Sequence, residues 1–181
     1  MVFAISRNLV NMWTTSSAAY LTPPPPGEPD TWTSETQGRG SQRIAAAGRS
    51  GSTPEVATAL RIAEGSPVIH RSRIILMDDE PVEIVTSYYP AGLSGAESLA
   101  EPKPIKGGAV RLLADLGWVA ATTVEDVSAE TADDGAQPGA PEGVPLLVIR
   151  RTVYTRADVP FEHTVMTSWD KRRQRYVMEL A

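Results

Sequence analysis

The chain of 181 residues has no cysteine, two histidines and no long apolar run. Without cysteine, disulfides and thiolate metal sites are excluded. His70 and His163 lack the paired spacing of metal ligands, and we expect each to be a strand residue with a local hydrogen bond. We therefore predict neither a metal nor a cofactor. With no apolar segment long enough to span a bilayer and no apolar secretion signal, the default expectation is a cytoplasmic protein without membrane contact.

Positive charge is also scarce, since the formal net charge is −5. A general nucleic-acid binder normally presents a positive face, so this balance argues against one. The only dense basic run covers residues 171–175, and we expect it to cap a solvated turn before a last strand at residues 176–180. The length is that of one compact domain with room for an unstructured arm.

Proline is concentrated near the N-terminus, where Pro23–Pro26 precede Gly27. Four consecutive prolines favour an extended polyproline stretch. We therefore predict an N-terminal arm or linker over residues 1–30 and one domain over residues 31–181. We expect the chain to continue as loop at Trp32, at residues 38–41 and at residues 48–51.

One sequence phrase occurs twice. Arg71-Ser72-Arg73 leads through Asp78-Asp79 to Pro81-Val82-Glu83, and Arg150-Arg151 leads through Ala157-Asp158 to Pro160-Phe161-Glu162. Without a gap, the alignment sets Arg71 on Arg150 and Glu83 on Glu162. The β-favouring runs on both sides of each turn predict a duplicated hairpin. Each copy puts guanidinium groups on one strand and a carboxylate near the start of the next, which suits a polar ligand.

The register of the first hairpin stays open at this point. Arg71 and Arg73 share a face because side chains alternate along a strand. With an odd number of loop residues, Arg73 can lie directly across from Glu83, and a slip of one residue would put them on opposite faces. The plain alternative to a ligand site is a surface ion pair of little energetic value.

Two helices are predicted. Thr53 as N-cap, Pro54 and Glu55 begin the first, which we expect to end at Gly65. The second is expected from about Gly108 to Leu116. Lys106-Gly107-Gly108 at its start offers a cation and unhindered backbone N–H groups, which suit a phosphate or carboxylate. We also predict a strand at residues 122–127 and a loop at residues 128–143.

The ordered set of motifs resembles a known family. The Arg-x-Arg strand, Pro-Val-Glu, the Ser87-Tyr88-Tyr89-Pro90 run, the Gly-Gly helix start and the final Pro-Phe-Glu are similar to the effector-binding (UTRA) domain of HutC/FarR-type regulators in the GntR family. The resemblance covers roughly residues 30–180. It implies an α/β (α+β), chorismate-lyase-like fold with a central antiparallel sheet and flanking helices, a homodimer, and a pocket that controls an attached winged helix-turn-helix. The pocket positions that it implies are Arg71, Arg73, Glu83, Gly108 and Glu162.

The chain departs from the family in several places. The winged helix-turn-helix is not present in this sequence, so we expect contact with DNA only through such a domain elsewhere. Many relatives have a serine at Gly108, and here only backbone donors remain. Ser168 and Trp169 stand where a tyrosine is common, and a segment rich in glycine and proline replaces a leucine-bearing helix over residues 132–143.

We therefore expect a dimeric sensor of a small anionic or polar effector. In this hypothesis Arg71 and Arg73 neutralise an anionic group with help from the N–H groups of Gly107 and Gly108, while Glu83 and Glu162 accept hydrogen bonds from the ligand. One alternative is a chorismate-lyase-like enzyme, although the sequence shows no nucleophile and base pair. Another is a stand-alone interaction module that forms mixed dimers with a full-length regulator.

Overall fold

The protein is built on one six-stranded antiparallel sheet. The computed structural model describes residues 13–15, 17–23, 25, 31–132, 140–169 and 172–176. In chain order, the strands are β1 (Trp13–Thr15), β2 (Gly40–Gly51), β3 (Pro67–Met77), β4 (Glu80–Pro90), β5 (Thr122–Thr131), β6 (Pro145–Tyr154), β7 (Pro160–Ser168) and β8 (Arg172–Gln174). The large sheet has the order β2-β3-β4-β7-β6-β5, and β1 pairs in parallel with β8.

Short helices cover both faces of the sheet. They are α1 (Ser17–Leu21), α2 (Thr31–Glu35), α3 (Pro54–Leu60), a 3-10 helix (Glu97–Ala100) and α4 (Gly108–Asp115). One face packs against α4 and the 3-10 helix, where Leu99 and Leu113 are fully buried. On the other face, Val56 and Leu60 of α3 pack against Val68. The predicted α+β architecture is confirmed, and none of the described helices is long and apolar enough to cross a membrane.

The two predicted hairpins are confirmed as β3–β4, called hairpin one, and β6–β7, called hairpin two. In hairpin one, Asp78 and Asp79 both have positive φ, as a type I′ turn requires. A bulge beside this turn shifts the register by one residue, so that Ile75 pairs with Glu83 and Arg73 with Val85. Arg73 and Glu83 therefore share a face but lie diagonally instead of directly opposite.

Hairpin two closes differently. A loop of residues 155–159 replaces the two-residue turn, and the amide of Thr155 donates to the carbonyl of Val159 at 3.0 Å. An odd loop in place of an even one changes which residues of the first strand share a face with the second. Val153 pairs with Glu162 and Arg151 with Thr164. Arg151, and not the aligned Arg150, therefore lies on the Glu162 face.

The helix predictions are confirmed at their starts and corrected at one end. The Thr53 side chain accepts a hydrogen bond from the amide of Val56. Helix α3 ends at Leu60, because Arg61 adopts a left-handed conformation and its amide caps the last turn. The predicted end at Gly65 is therefore wrong. Helix α4 begins at Gly108 as expected.

Three loop predictions are wrong. Residues 40–51 form the edge strand β2, although their small and polar side chains gave little sign of it. Trp32 lies in α2, where its indole N–H donates to the carbonyls of Ser41 and Leu76. Residues 128–131 continue β5 because they pair with the start of β6.

The basic run near the C-terminus also differs from its prediction. Residues 172–174 form β8, and Arg172 is buried instead of solvated. Tyr176 lies after this strand, while the rest of the predicted last strand falls outside the described residues. The same holds for Lys171, for Pro24 and Pro26 of the proline run, and for residues 133–139.

Candidate functional site

A cavity of about 140 Å³ lies on the α4 side of the sheet, between the two hairpins. Its floor consists of side chains from β3, β4, β6 and β7. Helix α4 forms one wall, and segments from both chain ends cover it. The floor and wall residues that the site uses are Gln42, Arg73, Ile75, Glu83, Val85, Tyr89, Gly107, Gly108, Ala109, Val110, Arg151, Glu162 and Met166.

Five of the six predicted site residues meet at this cavity, namely Arg73, Glu83, Gly107, Gly108 and Glu162. Arg71 is outside it and instead lines an adjoining open cleft of about 440 Å³. The cavity and this cleft share Gln42, Arg73, Gly108 and Ala109. A ligand longer than the cavity can therefore extend past Arg73 into the cleft.

Arg71 is engaged within the fold. Its side chain is 4% exposed, and its guanidinium donates to the carbonyls of Leu99, Glu101 and Lys103. These carbonyls belong to the 3-10 helix and the loop that leads to α4. Burial lowers the pKa of Arg71 from its ordinary value. Arg71 thus fixes the loop that carries the α4 N-terminus to the cavity.

Arg73 is the cation of hairpin one at the cavity. It is half-buried, and one terminal nitrogen donates to the Gln42 side chain at 3.3 Å. Because the bond is a long one to a neutral acceptor, it leaves most of the donor capacity of the guanidinium for a ligand.

Glu83 is buried and paired. It forms an ion pair with Arg172 of β8 and accepts a hydrogen bond from the Ser168 hydroxyl at 2.9 Å. Burial lowers the pKa of Arg172 to about 10. The pair therefore ties the C-terminal strand to the floor of the cavity.

Glu162 is 5% exposed and lacks an ion pair among the described residues. Thr164 and Ser87 donate to it at 2.7 Å and 3.4 Å, and both bonds go to Oε1. Tyr89 lies nearby, and burial together with the Glu162 charge raises the pKa of its hydroxyl. Tyr89 therefore stays a neutral hydroxyl, and Oε2 of Glu162 remains for an incoming donor.

The start of α4 supplies backbone donors. Gly107 and Gly108 have φ values of 77° and 80°, which favour glycine. The Gly108 amide is already bonded to the carbonyl of Ile105 at 2.9 Å. Ala109 and Val110 follow and line the cavity, and first-turn N–H groups of a helix have no partner within it. An anion at this point would be bound by those amides and by the helix dipole.

Segments from both ends of the chain cover the cavity. We call residues 17–22, 31–32 and 172–174 the terminal lid. The Gln174 side chain donates to Ser17 at 2.9 Å, and Thr31 donates to the carbonyl of Ala19 at 3.2 Å. Since β1 and β8 also pair, the two chain ends close the site together.

Sequence reasoning missed two arginines of this site, Arg151 and Arg172. Arg151 was visible as part of the second Arg-Arg pair, but the alignment pointed to its neighbour. Arg150 lies on the opposite face, where it forms ion pairs with Glu55 and Glu130 at 2.8 Å and 2.9 Å. Nothing in the sequence linked Arg172 to Glu83.

Comparison with known proteins agrees with the observed fold. Residues 37–169 match the UTRA domain family. The fold is similar to the effector domain of PhnF from Mycobacterium smegmatis, with TM-score 0.69 and 20% identity over 83% of this chain and 95% of that chain. For the longer PhnF structure the TM-score is 0.74 at 16% identity, over 94% of this chain and 73% of that chain.

A GntR-family transcriptional regulator from Enterococcus faecalis shows the same fold, with TM-score 0.63 and 19% identity over 77% of this chain and 100% of that chain. No curated protein sequence matches the chain significantly. The expected UTRA, chorismate-lyase-like fold is therefore confirmed.

Proposed function

The chain belongs to the UTRA domain family, and on that premise we propose that it is the effector-sensing domain of a HutC/FarR-type transcriptional regulator. The observation that carries this proposal is the covered cavity in which Arg73, the α4 N-terminus and Glu162 meet. The structural neighbours include effector domains of GntR-family regulators. We propose a regulatory ligand that is bound and released unchanged, and no catalytic role.

The proposed effector carries an anionic group. Arg73 would neutralise this group while the amides at the start of α4 donate to it. Hydroxyl or amine groups of the effector would donate to Glu162, and to the face of Glu83 that Arg172 leaves open. In this proposal Gly107 and Gly108 allow the ligand to approach the backbone closely. Arg71 contributes by holding the loop before α4.

We also propose a division of the chain into two parts. Residues 1–30 would be an arm and residues 31–181 the effector domain, with DNA bound through a winged helix-turn-helix outside this sequence. In this proposal the arm is not a free linker, because Ser17, Tyr20 and Thr22 line the cavity. A bound ligand would then contact the terminal lid and change its position against the cavity. Signalling requires such a contact, because a ligand shifts a conformational equilibrium only if it binds the two states differently.

We further propose a homodimer in the cytoplasm, as the regulatory role requires. Light scattering of the purified protein tests the dimer. A monomer at micromolar concentration with bound effector would contradict this part and leave the ligand proposal standing.

Substitution of Arg73 tests the ligand proposal directly. A thermal-shift screen of phosphorylated and carboxylated metabolites identifies binders, and calorimetry then compares wild type with Arg73→Ala. We expect Arg73→Ala to lower affinity at least tenfold, since charged hydrogen bonds contribute roughly 1.5–3 kcal/mol.

Arg49→Ala is the matched control, because Arg49 is an exposed arginine of β2 outside the cavity. It should leave affinity unchanged, and both variants should remain folded. Equal affinity of Arg73→Ala and wild type for every binder would refute the proposed site. Recovery of a chemically altered ligand would refute the non-catalytic role.

A further inference from the structure

Arg151 is a buried cation at the cavity without a partner among the described residues. Its side chain lines the cavity and is 7% exposed. The described part of the chain offers it no ion pair, and its Nε atom is buried without a hydrogen bond. A guanidinium stays charged at any physiological pH, so loss of its proton cannot relieve the unfavourable free energy of burying it. A buried charge without a partner is strongly unfavourable.

Among the described residues, the surroundings of Arg151 provide no ion pair, although Oε1 of Glu125 is also buried without a hydrogen bond. Across the sheet, Arg151 pairs in register with Glu125 on one side and Thr164 on the other. Glu125 accepts a hydrogen bond from the Tyr176 hydroxyl at 2.9 Å, and Glu162 accepts from Thr164 and Ser87. Neither carboxylate forms an ion pair with Arg151. Within the described part of the chain, Arg151 lines the cavity, where a ligand could reach it.

Arg151 also lies apart from the anion-binding end that Arg73 defines. Arg73 is on β3 and Arg151 on β6, three strands away in the sheet. With neighbouring strands about 4.8 Å apart, their backbones are separated by about 14 Å across the sheet. Both side chains nevertheless reach one cavity. Because the two guanidinium groups enter the cavity from strands that are separated by β4 and β7, an effector with two acidic groups could pair with both cations.

We infer that the effector carries two separated acidic groups, one bound by Arg73 and the α4 N-terminus and the other by Arg151. The part between them carries hydroxyl or amine donors for Glu162. This inference rests on the proposed function and narrows the class of effector. The adjoining cleft at Arg73 gives such a molecule room beyond the cavity itself.

Three matched probes test the inference by calorimetry. 6-Phosphogluconate carries a phosphate and a carboxylate at opposite ends of a six-carbon chain, while glucose 6-phosphate and gluconate carry one acidic group each. Wild type should bind 6-phosphogluconate about tenfold or more tightly than either single-acid probe. Arg151→Gln should remove this preference and leave the affinity for glucose 6-phosphate within about threefold. Arg150→Gln should keep it, because Arg150 lies on the opposite face.

The outcomes separate this inference from the proposed function. Binding of glucose 6-phosphate that depends on Arg73, without a preference for the double acid, would overturn the second anchor alone. Preference that survives in Arg151→Gln would overturn it as well. If none of the three probes binds, this result would count against anionic effectors of this size. The melting temperature of the ligand-free Arg151→Met variant would then test the role of Arg151.

In the ligand-free protein, Arg151→Met should raise the melting temperature by about 2–4 °C, because it removes an unpaired buried charge. This stabilisation would support a cation kept for a ligand. A lower melting temperature would show that Arg151 neutralises Glu125 or Glu162 within the fold, and would overturn the inference whichever probe binds.

Discussion

The two hairpins share a sequence phrase but use their charges differently. In hairpin one, Arg71 and Glu83 are bonded within the fold, to backbone carbonyls and to Arg172 respectively. In hairpin two, Arg151 has no partner among the described residues and Glu162 accepts only from hydroxyls. Arg71 and Glu83 of the first hairpin thus stabilise the walls of the cavity, whereas Arg151 and Glu162 of the second lack ion pairs among the described residues.

Turn length is the physical origin of this difference. The second strands agree, since Glu83 and Glu162 are aligned and both line the cavity. The first strands do not agree, because the two-residue turn and the five-residue loop set different registers. Arg150 is thereby turned to the far face, where it pairs with Glu55 and Glu130, and Arg151 takes the place at the cavity. The change from an even to an odd loop length therefore decides that Arg150 forms partly exposed ion pairs while Arg151 is a buried cation at the cavity.

The largest contrast is expected between Arg71 and its aligned residue Arg150. Arg71→Met should lower the free energy of unfolding by about 3 kcal/mol, because the carbonyls of residues 99–103 lose charged donors in a buried place. Arg150→Met should cost about 1 kcal/mol or less, since its ion pairs are partly exposed. Urea denaturation of both variants measures the contrast. Equal losses would show that the two arginines hold the fold alike.

The two carboxylates provide the next contrast. Glu83→Gln should cost about 2 kcal/mol, because Arg172 then stays buried beside a neutral amide. Glu162→Gln should cost less than about 1 kcal/mol, since an amide oxygen still accepts from Thr164. The same urea series applies, and limited proteolysis near β8 should show earlier cleavage in Glu83→Gln only. A greater loss in Glu162→Gln would reverse the assignment of roles.

Local chemistry made much of the fold predictable. The Asp78-Asp79 turn, the Thr53 cap and the Gly-Gly start of α4 all form where their residue types favour them. Edge strand β2 was not predictable in this way, because its residues are small or polar and its conformation depends on pairing with β3. Local sequence patterns locate turns and helix caps, but they do not show which strands pair with each other.

The site was partly predictable for a related reason. Glu162 and Arg73 could be named from the repeated phrase and from the resemblance, since each belongs to a short motif that the sequence shows directly. Arg172 could not, because its partner Glu83 is far away in sequence. Arg151 could not be assigned to the cavity either. Its face depends on whether the following loop has an odd or an even number of residues, and the residues of that loop favour no single turn type. Site residues were therefore predictable from local motifs, but not where their position depends on strand register or on a partner far away in sequence.

The smallest expected effect concerns the face of each hairpin that points away from the cavity. There Ile84 of hairpin one aligns with His163 of hairpin two. His163 is buried beneath α3 and shares a hydrogen bond with Thr152 at 3.0 Å. Burial lowers the pKa of His163, and Arg150 adds to this, while Glu55, Glu162 and Asp126 act in the opposite direction. Its ring is therefore harder to protonate in the folded chain than in the unfolded chain.

Acid should consequently weaken the fold through His163. As pH falls through the ordinary histidine pKa of 6.5, the unfolded chain takes up a proton that the folded chain refuses, so the free energy of unfolding decreases. Substitution by glutamine, His163→Gln, removes the titrating ring, and its stability should change less between pH 7 and pH 5.5 than that of wild type. Urea denaturation at several pH values measures both slopes. Parallel slopes would mean that His163 titrates alike in both states, and that the far faces of the two hairpins do not differ in their response to acid.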